Sequence, residues 1–339
     1  MPVTTVLGSI DATRLGHTQP HEHLFCDLRG YLRPEQRQGY PIDLANYYRS
    51  RVDRDNAEDM VLDDVEAVAD ALEDYHRAGG GSIVDATPHG LGRSPETLLR
   101  IAQRSRVNII MGCGYYTQPF HPDSVPHDTE EDIMKGIVAD LVDGVDVGGT
   151  AVRAGIIGEI GISSPTHPDE EKVLRAAARA QRVTGAALLI HPGRSPEAPL
   201  QHLGTVAAAG GDIERVVMSH IDRTLFDLDS MLAVADTGCV LEFDLFGTET
   251  SYYPQNPAVD LPNDGHRVHY IRELVDRGYG DQIAIAEDVC RKTQLKPYGG
   301  EGYEHILRRV IPLMRARGIR ETDIKQITER TPARLLDRA

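Results

Sequence analysis

Apolar and polar positions along the chain recur in a strand-and-helix order. Residues 60–75 predict a helix, because their apolar side chains are spaced by four and three positions and so share one face: Val61, Val65, Val68, Leu72 and Tyr75. Three glycines at 79–81 end this helix, and the apolar run 82–86 predicts a strand directly after it. A helix that leads into a buried strand is typical of α/β proteins with a parallel sheet.

The same order continues along the sequence. Predicted strands are the segment before His21 and residues 82–86, 107–111, 154–157, 186–190, 215–218, 239–243 and 282–286. Further predicted helices cover residues 95–105, 129–143, 168–184, 197–209, 225–236, 265–278, 303–317 and 321–337. Eight strands separated by helices predict a single (β/α)8 TIM barrel domain over residues 1–339, because closure leaves no sheet edge unpaired. A doubly wound open sheet is the alternative, but the sequence lacks the glycine-rich phosphate turn expected after its first strand.

Composition narrows the classes of partner. Lys plus Arg number 36 and Asp plus Glu number 52, which gives a formal net charge of −16, and no basic run suited to nucleic acid occurs. No apolar stretch is long enough to cross a bilayer, and the first residues do not resemble a signal peptide. We therefore expect a cytoplasmic protein with neither a nucleic acid nor a membrane partner. The four cysteines are widely spaced, so they suggest neither a structural zinc site nor a disulfide framework.

Potential metal ligands stand at the ends of the predicted strands. His21 and His23 flank one residue on an extended segment, so both imidazoles point to the same side. Four later apolar runs also end in a potential ligand: Glu159, His191, His220 and Asp288. Any one of these residues alone is more often a hydrogen-bonded core residue, but the carboxyl ends of barrel strands converge on one mouth. The six residues together predict a site for a pair of divalent cations.

Eight motifs follow one another in order over nearly the whole chain. They are HEHL at 21–24, DATPHGLGR at 85–93, GCGYYT at 112–117, GEIG at 158–161, IHPGR at 190–194, MSHIDRT at 218–224, EFDLFGTE at 242–249 and KPYGGEGYEHIL at 296–307. In these motifs the chain resembles the amidohydrolase superfamily, and within it the phosphotriesterase family. The resemblance is closest to the phosphotriesterase-related subgroup, whose members are also described as resiniferatoxin-binding-like or N-acetyltaurine hydrolase-like.

The resemblance implies a role for each of the six candidate ligands. The more buried cation would be held by three of them: His21, His23 and Asp288. The more exposed cation would be held by His191 and His220, and Glu159 would bridge the two. Phosphotriesterases proper carry a carboxylated lysine at the bridging position, so the glutamate here puts organophosphate hydrolysis in doubt as the native activity. The expected cofactor is two divalent metal ions per chain, zinc foremost, with manganese or cobalt as alternatives.

The implied chemistry is hydrolysis by a hydroxide that bridges the two cations. Glu159 would offset the repulsion between the cations, and Asp288 would orient the hydroxide and carry its proton to the leaving group. Glu287 is adjacent to Asp288 and should face the other way, toward the barrel wall. An ionised Glu287 in that position would need a partner, which the sequence does not identify.

Five residues are candidates for contact with the substrate. Arg194 and Arg223 each lie three residues after a candidate histidine ligand, and Lys292 lies four residues after Asp288. These cations would suit a clamp for an anionic group, with plain loop charge as the alternative. Tyr115 and Tyr116 follow the third strand, where the resemblance implies a substrate-facing aromatic residue, with packing as the alternative.

The predicted function is hydrolysis of a carboxylic amide or ester whose other end is anionic. Phosphotriesterase-related proteins are associated with deacylation of N-acyl amino acids and N-acyltaurines, which the arginine and lysine residues would suit. A lactonase with promiscuous phosphotriesterase activity is the first alternative, and a non-catalytic ligand-binding barrel is the second. The expected partner is a small-molecule substrate, and the family resemblance leaves a homodimer open.

Overall fold

Eight parallel strands form one sheet in the computed structural model, which describes residues 2–338. In chain order they are β1 (His17–Glu22), β2 (Gly80–Asp85), β3 (Asn108–Cys113), β4 (Ile156–Gly161), β5 (Leu188–His191), β6 (Val216–Met218), β7 (Val240–Phe243) and β8 (Ile283–Ile285). Each strand pairs with the next one along the chain. An open doubly wound sheet would reverse its strand order in the middle, so this sequential order confirms the predicted (β/α)8 barrel.

Helices connect the strands. They are α1 (Tyr47–Asp53), α2 (Val65–Arg77), α3 (Pro95–Ser105), α4 (Glu130–Val142), α5 (Pro168–Thr184), α6 (Ala198–Ala208), α7 (Leu228–Ala235), α8 (Asp264–Asp276), α9 (Ile311–Ala316), α10 (Glu321–Lys325) and α11 (Thr331–Leu336). A π-helical turn at Ile306–Val310 leads into α9, and another at Gln326–Arg330 joins α10 to α11. The helices predicted from periodicity are confirmed, with ends that differ by a few residues.

Local sequence explains where the best predicted helices begin and end. The Ser94 hydroxyl accepts a hydrogen bond from the Thr97 backbone N–H, and Pro95 fills the first position of α3, where no backbone N–H is needed. Pro168 begins α5 in the same way. Gly185 follows α5 with a φ of 67°, the left-handed conformation that glycine adopts without strain. The predicted bounds 95–105 and 168–184 agree with these helices because both ends carry such signals.

Some short elements were not predicted. Strands Pro2–Thr5 and Gly8–Asp11 form an antiparallel hairpin, and Val145–Val147 pairs with Thr150–Val152 in another. These strands have only three or four residues, too few to show a periodic pattern. Helix α1 was also missed, and it lies in the long connection between β1 and α2.

Two apolar layers stabilise the barrel. The larger layer lies between the sheet and the surrounding helices. The smaller layer fills the barrel interior with side chains from β2 to β8, including Val84, Ile110, Leu189 and Val240. Val3, Leu15, Leu335 and Leu336 belong to the smaller layer, so the N-terminal hairpin and α11 cover the amino end of the barrel. The opposite end, where the strands finish, is left for loops and polar side chains.

Buried carboxylates join the first strand to the last. The Glu22 carboxylate accepts hydrogen bonds from the backbone N–H groups of Glu287 and Val289, each at 2.7 Å. The Gln19 side chain donates to Glu287 at 2.8 Å, and the Ile306 backbone N–H donates to the same oxygen at 3.0 Å. Glu287 therefore lies in the wall of the barrel, as predicted, where the last strand closes against the first, with Gln19 and Ile306 as its partners.

Within residues 2–338, no helix is long and apolar enough to cross a membrane.

Candidate metal centre and substrate cavity

The six candidate ligands meet at the carboxyl end of the barrel. His21 lies near the end of β1, with His23 directly after the strand, and Glu159 lies in the second half of β4. The other three follow or end their strands: His191, His220 and Asp288. All are buried except Asp288, whose side chain is 17% exposed. The convergence predicted from strand order is therefore present in the structure.

Glu159 lies at the middle of this group. Its Oε1 atom is 3.3 Å from His23 Nε2, and its Oε2 atom is 3.5 Å from His21 Nε2. The same Oε2 atom lies 2.8 Å from His191 Nδ1 and 3.7 Å from His220 Nε2. One carboxylate thus faces both histidine pairs, which is the arrangement expected of a bridging ligand.

Strand β4 is irregular where it carries Glu159. Its pairing register with β5 shifts between Ile157 and Ile160, and such irregularities commonly re-aim a side chain beside a site. Gly158 has a φ of 129°, and a Cβ atom there would lie 2.5 Å from the Leu189 carbonyl oxygen. Only glycine fits this position, which explains the glycine that precedes Glu159 in the GEIG motif.

Hydrogen bonds on the outer side orient the histidine rings. His21 Nδ1 lies 2.9 Å from Glu242 Oε2, and His220 Nδ1 lies 2.7 Å from Asp244 Oδ1. His23 Nδ1 lies 2.8 Å from the Thr87 hydroxyl, which in turn donates to Asp85. Each of these three rings therefore presents its Nε2 atom to the centre.

Sequence reasoning did not assign Glu242 and Asp244, although both belong to the EFD motif at 242–244. Residues two apart on a strand face the same side, so this spacing at the end of β7 was the available signal.

Two candidate ligands occupy a left-handed backbone conformation. His220 has a φ of 55° and Asp288 a φ of 50°. Residues other than glycine rarely adopt this region, and such strained positions concentrate at functional sites. The Asp244 carboxylate accepts the His220 backbone N–H at 2.7 Å and so holds the turn after β6 in place.

The side chains of the centre shift the pKa values of one another. Burial by itself disfavours a charged His23, but hydrogen bonds with Asp288 and Glu159 outweigh it and raise the pKa of His23 to about 10. Burial likewise opposes a charged His21, yet Asp244 and Glu159 raise the pKa of this ring well above its ordinary value. Burial would raise the pKa of Glu159, but the surrounding histidines, His191 first, hold it well below its usual range. Without a cation, protons on histidines therefore balance the carboxylates.

The donor set fits divalent cations. Three groups in the described chain place ligand atoms within 4.8 Å of one another: His21, His23 and Asp288; Glu159, His191 and His220; and His21, His220 and Asp244. His21 Nε2 is buried and accepts or donates no hydrogen bond within residues 2–338. A buried nitrogen in this state is costly unless a cation or proton occupies its lone pair. Imidazole and carboxylate are the ligands that zinc and similar ions prefer.

A cavity of about 430 Å³ opens from the centre to the mouth of the barrel. Five of the six candidate ligands line it: His23, Glu159, His191, His220 and Asp288. Of the predicted substrate residues, Tyr116, Arg194 and Arg223 line the same cavity. The Tyr116 hydroxyl lies 3.2 Å from His191 Nδ1, so this phenol reaches the centre itself.

The structure does not place Tyr115 and Lys292, the other two predicted substrate residues, in the lining of this cavity. Tyr115 packs beside His89 instead, with the ring centroids 5.7 Å apart. The Lys292 ammonium group is held by Glu58 at 2.5 Å and by Asp63 at 2.9 Å. Lys292 therefore anchors the loop after β8 to the segment before α2.

Further residues of the cavity lining were given no substrate contact from the sequence, among them Tyr31, Arg54, Tyr253 and Arg291. Arg291 donates to Asp59 at 3.1 Å and is thereby neutralised. The others lie on long loops after β1 and β7, where no strand end fixes their position. A long loop at the mouth of a barrel was the only sequence signal for them.

Comparisons with known proteins agree with this arrangement. The sequence profile described as the phosphotriesterase family matches residues 1–336. N-acetyltaurine hydrolase from Salmo salar is 41% identical, and the match covers 98% of this chain and 97% of that protein. A resiniferatoxin-binding protein from Rhodobacter sphaeroides has a crystal structure similar to this one, with a TM-score of 0.93, 34% identity and coverage of 99% and 95% of the two chains. A lactonase from Listeria monocytogenes is similar with a TM-score of 0.80 and 26% identity over 100% of both chains.

Proposed function

Because the chain belongs to the phosphotriesterase family and is a metal-dependent hydrolase, we propose that it cleaves a carboxylic amide or ester whose other end is anionic. N-acyl amino acids and N-acyltaurines are the substrate class. The supporting observation is the cavity, whose lining includes five of the six candidate ligands together with Arg194 and Arg223. The similarity to N-acetyltaurine hydrolases favours an amide over an ester.

The residues that would hold the cations are those predicted from the sequence. His21, His23 and Asp288 would hold one, His191 and His220 the other, and Glu159 both. A pair of divalent cations, when bound, supplies a hydroxide nucleophile at neutral pH and polarises the scissile carbonyl group.

The protein's own residues then position the substrate and move the proton. Asp288 lines the cavity and is partly exposed, so its free oxygen is placed to accept the proton of the nucleophile and donate it to the departing amine. The arginines would hold the anionic end and so fix the distance between the scissile bond and the centre. Tyr116, close to His191, would close the wall of the cavity beside the acyl group.

Lactone hydrolysis is the second candidate, favoured by the similarity to the Listeria monocytogenes lactonase. A lactone is neutral and would leave the guanidinium groups of the cavity without an anion. Lactones, and likewise phosphotriesters, are therefore less favoured as substrates than anionic amides. The alternative of a non-catalytic barrel is not retained, since the chain belongs to a family of hydrolases.

A substrate panel tests the proposal. Metal-reconstituted protein is assayed with N-acetyltaurine, N-acetyl amino acids, a γ-lactone and paraoxon, and the kcat/KM values are compared. We expect an anionic amide to exceed the lactone and paraoxon by about tenfold or more, the worth of one charge-assisted contact. His220→Asn, purified in parallel, controls for contaminating hydrolases. A lactone or paraoxon at the top of the ranking would contradict the proposal.

A further inference from the structure

Three guanidinium groups in the cavity have no anionic partner. Within residues 2–338, no carboxylate forms an ion pair with Arg54, Arg194 or Arg223, although all three line the cavity. Arg291, which also lines the cavity, is by contrast paired with Asp59. Cations gathered in a partly desolvated cavity repel one another, so an anion that enters between them gains more than it would in water.

Tyr253 is the point on which these arginines converge. The Arg54 guanidinium carbon lies 5.6 Å from the Tyr253 ring centroid, and that of Arg194 lies 5.7 Å from it. Arg194 Nε also donates to the Tyr253 hydroxyl at 2.8 Å. Arg223 is 2% exposed and donates to the Pro192 carbonyl, on the loop that carries Arg194. Burial alone would raise the pKa of Tyr253, but Arg223, Arg194 and Arg54 together lower it.

Arg54 reaches the cavity from an unusual position. It follows the last residue of α1 with a φ of 53°, the left-handed conformation that glycine or asparagine ordinarily takes at a helix end. Such a conformation is strained for a residue that carries a Cβ atom, as arginine does. Burial and the neighbouring Arg291 lower the pKa of Arg54 to about 10, so the group stays charged at neutral pH without an anion to compensate it. A strained backbone that carries a half-buried cation without an anionic partner points to a ligand.

We propose that Arg54, Arg194 and Arg223 form a subsite for a head group with three free oxygens, a sulfonate, and that Arg54 determines the preference for it over a carboxylate. The proposal rests on amide hydrolysis as the proposed function. A carboxylate has two oxygens, and both can accept hydrogen bonds from a single guanidinium group. The positive charges of the other two arginines then have no anionic partner. A sulfonate offers one oxygen to each of three guanidinium groups at once.

Three substrates that share one acyl group separate these contributions. N-acetyltaurine carries a sulfonate, N-acetyl-β-alanine a carboxylate on a chain of the same length, and N-propylacetamide no charge. We expect kcat/KM of the metal-loaded enzyme to be about tenfold higher for the sulfonate than for the carboxylate. In Arg54→Met, which keeps an unbranched side chain of about the length of the arginine stem and removes the guanidinium group, we expect this ratio to fall to about threefold or less. The rate with N-propylacetamide should fall by a smaller factor than the rate with N-acetyltaurine.

Two further variants and a binding measurement complete the test. Arg49→Met removes an exposed arginine of the same helix and should leave all rates unchanged. Arg54→Lys keeps the positive charge but lacks the planar pair of N–H donors of a guanidinium group, so it should retain only part of the sulfonate preference. Calorimetry with propane-1-sulfonate measures the subsite without turnover, and its affinity should drop in Arg54→Met but not in Arg49→Met.

The outcomes separate the two proposals. If no amide is hydrolysed but propane-1-sulfonate binds through Arg54, the proposed function fails and the subsite stands. If the amides are hydrolysed and Arg54→Met lowers all three rates equally, or leaves the sulfonate preference intact, the subsite proposal is overturned alone.

Discussion

Asp288 differs from the other five candidate ligands in its exposure. Its side chain is 17% exposed, whereas each of the others is nearly inaccessible to solvent. A carboxylate that contacts both the centre and the cavity can pass a proton between them. His23 Nε2, 3.5 Å from Asp288 Oδ1, fixes the inner oxygen and leaves the outer one for this task.

Replacing Asp288 by asparagine tests this role. Asp288→Asn keeps the size and one oxygen of the side chain but removes its basic site. We expect kcat for an amide to fall by roughly two to four orders of magnitude, the usual contribution of general acid–base catalysis. An activated aryl ester should lose less, because its leaving group departs without a proton. Elemental analysis of the variant controls for lost metal, and equal losses on both substrates at full metal content would leave Asp288 with a binding role only.

At the scale of elements, the seam between β1 and β8 depends on buried carboxylates. Burial and the nearby Glu287 raise the pKa of Glu22 well above its ordinary value. Burial is also the main cause that raises the pKa of Glu287, to about 7. The two backbone hydrogen bonds that Glu22 accepts join the strands across the seam. The seam is therefore strengthened when one carboxyl group carries a proton.

Glu287→Gln should stabilise the protein above neutral pH. The amide oxygen can still accept the hydrogen bonds of Gln19 and Ile306, and the buried charge is gone. A carboxyl group whose pKa is raised on folding stabilises the fold below its unfolded pKa of about 4.5, and this contribution is lost as pH rises through about 7. We expect a gain of about 1–3 kcal/mol in the free energy of unfolding at pH 8 and little change at pH 5. Urea unfolding at both pH values measures it, and a loss of stability at pH 8 would mean that the charge is needed.

The elements that could be predicted from the sequence are those with periodic patterns or clear ends. Strands β2 to β8 each contain a short apolar run, whereas β1 (HTQPHE) does not, and α3 and α5 carry proline at the start. The pairing of Val61–Leu62 with Cys26–Asp27 could not be predicted, because two-residue strands have no period. It also explains why α2 begins at Val65 and not at residue 60.

The whole molecule carries a net charge of −16, yet its cavity gathers unpaired cations. The six candidate ligands could be predicted because a barrel brings the carboxyl ends of all its strands to one mouth, independently of the conformation of the loops. Arg54 and Tyr253 could not, because they lie on loops after β1 and β7 and their meeting depends on tertiary packing. Lys292 was assigned to the cavity for its distance from Asp288 in sequence, but two acidic side chains hold it elsewhere.

At the scale of the whole molecule, protons and metal ions should compete for the histidines of the centre, and binding of either should stabilise the fold. A histidine whose pKa is raised on folding stabilises the fold below its unfolded pKa of about 6.5, and this contribution is lost as pH rises through the folded value, about 10 for His23. We therefore expect the Tm of metal-free protein to fall between pH 7 and pH 10, and less steeply in His23→Gln. Added metal should remove the fall.

The same competition fixes how many protons metal binding displaces. His21 and His23 must both lose a proton to bind through nitrogen, and a water that becomes hydroxide loses another. Filling the centre at pH 7 should therefore release about two protons per chain or more. Calorimetry in buffers of different ionisation enthalpy counts these protons. Metal binding without proton release would contradict the protonated state inferred for these rings.

The cover on the amino end of the barrel has a practical consequence for handling the protein. Val3 of the N-terminal hairpin and Leu335 of α11 pack into the same inner layer, and Arg215, just before β6, donates to the Leu335 carbonyl at 2.7 Å. Both ends of the described chain are thus held on the side that faces away from the cavity. An affinity tag, a fused reporter or a bead tethered at either end would stand behind the barrel, and substrate would still diffuse freely to the opposite face.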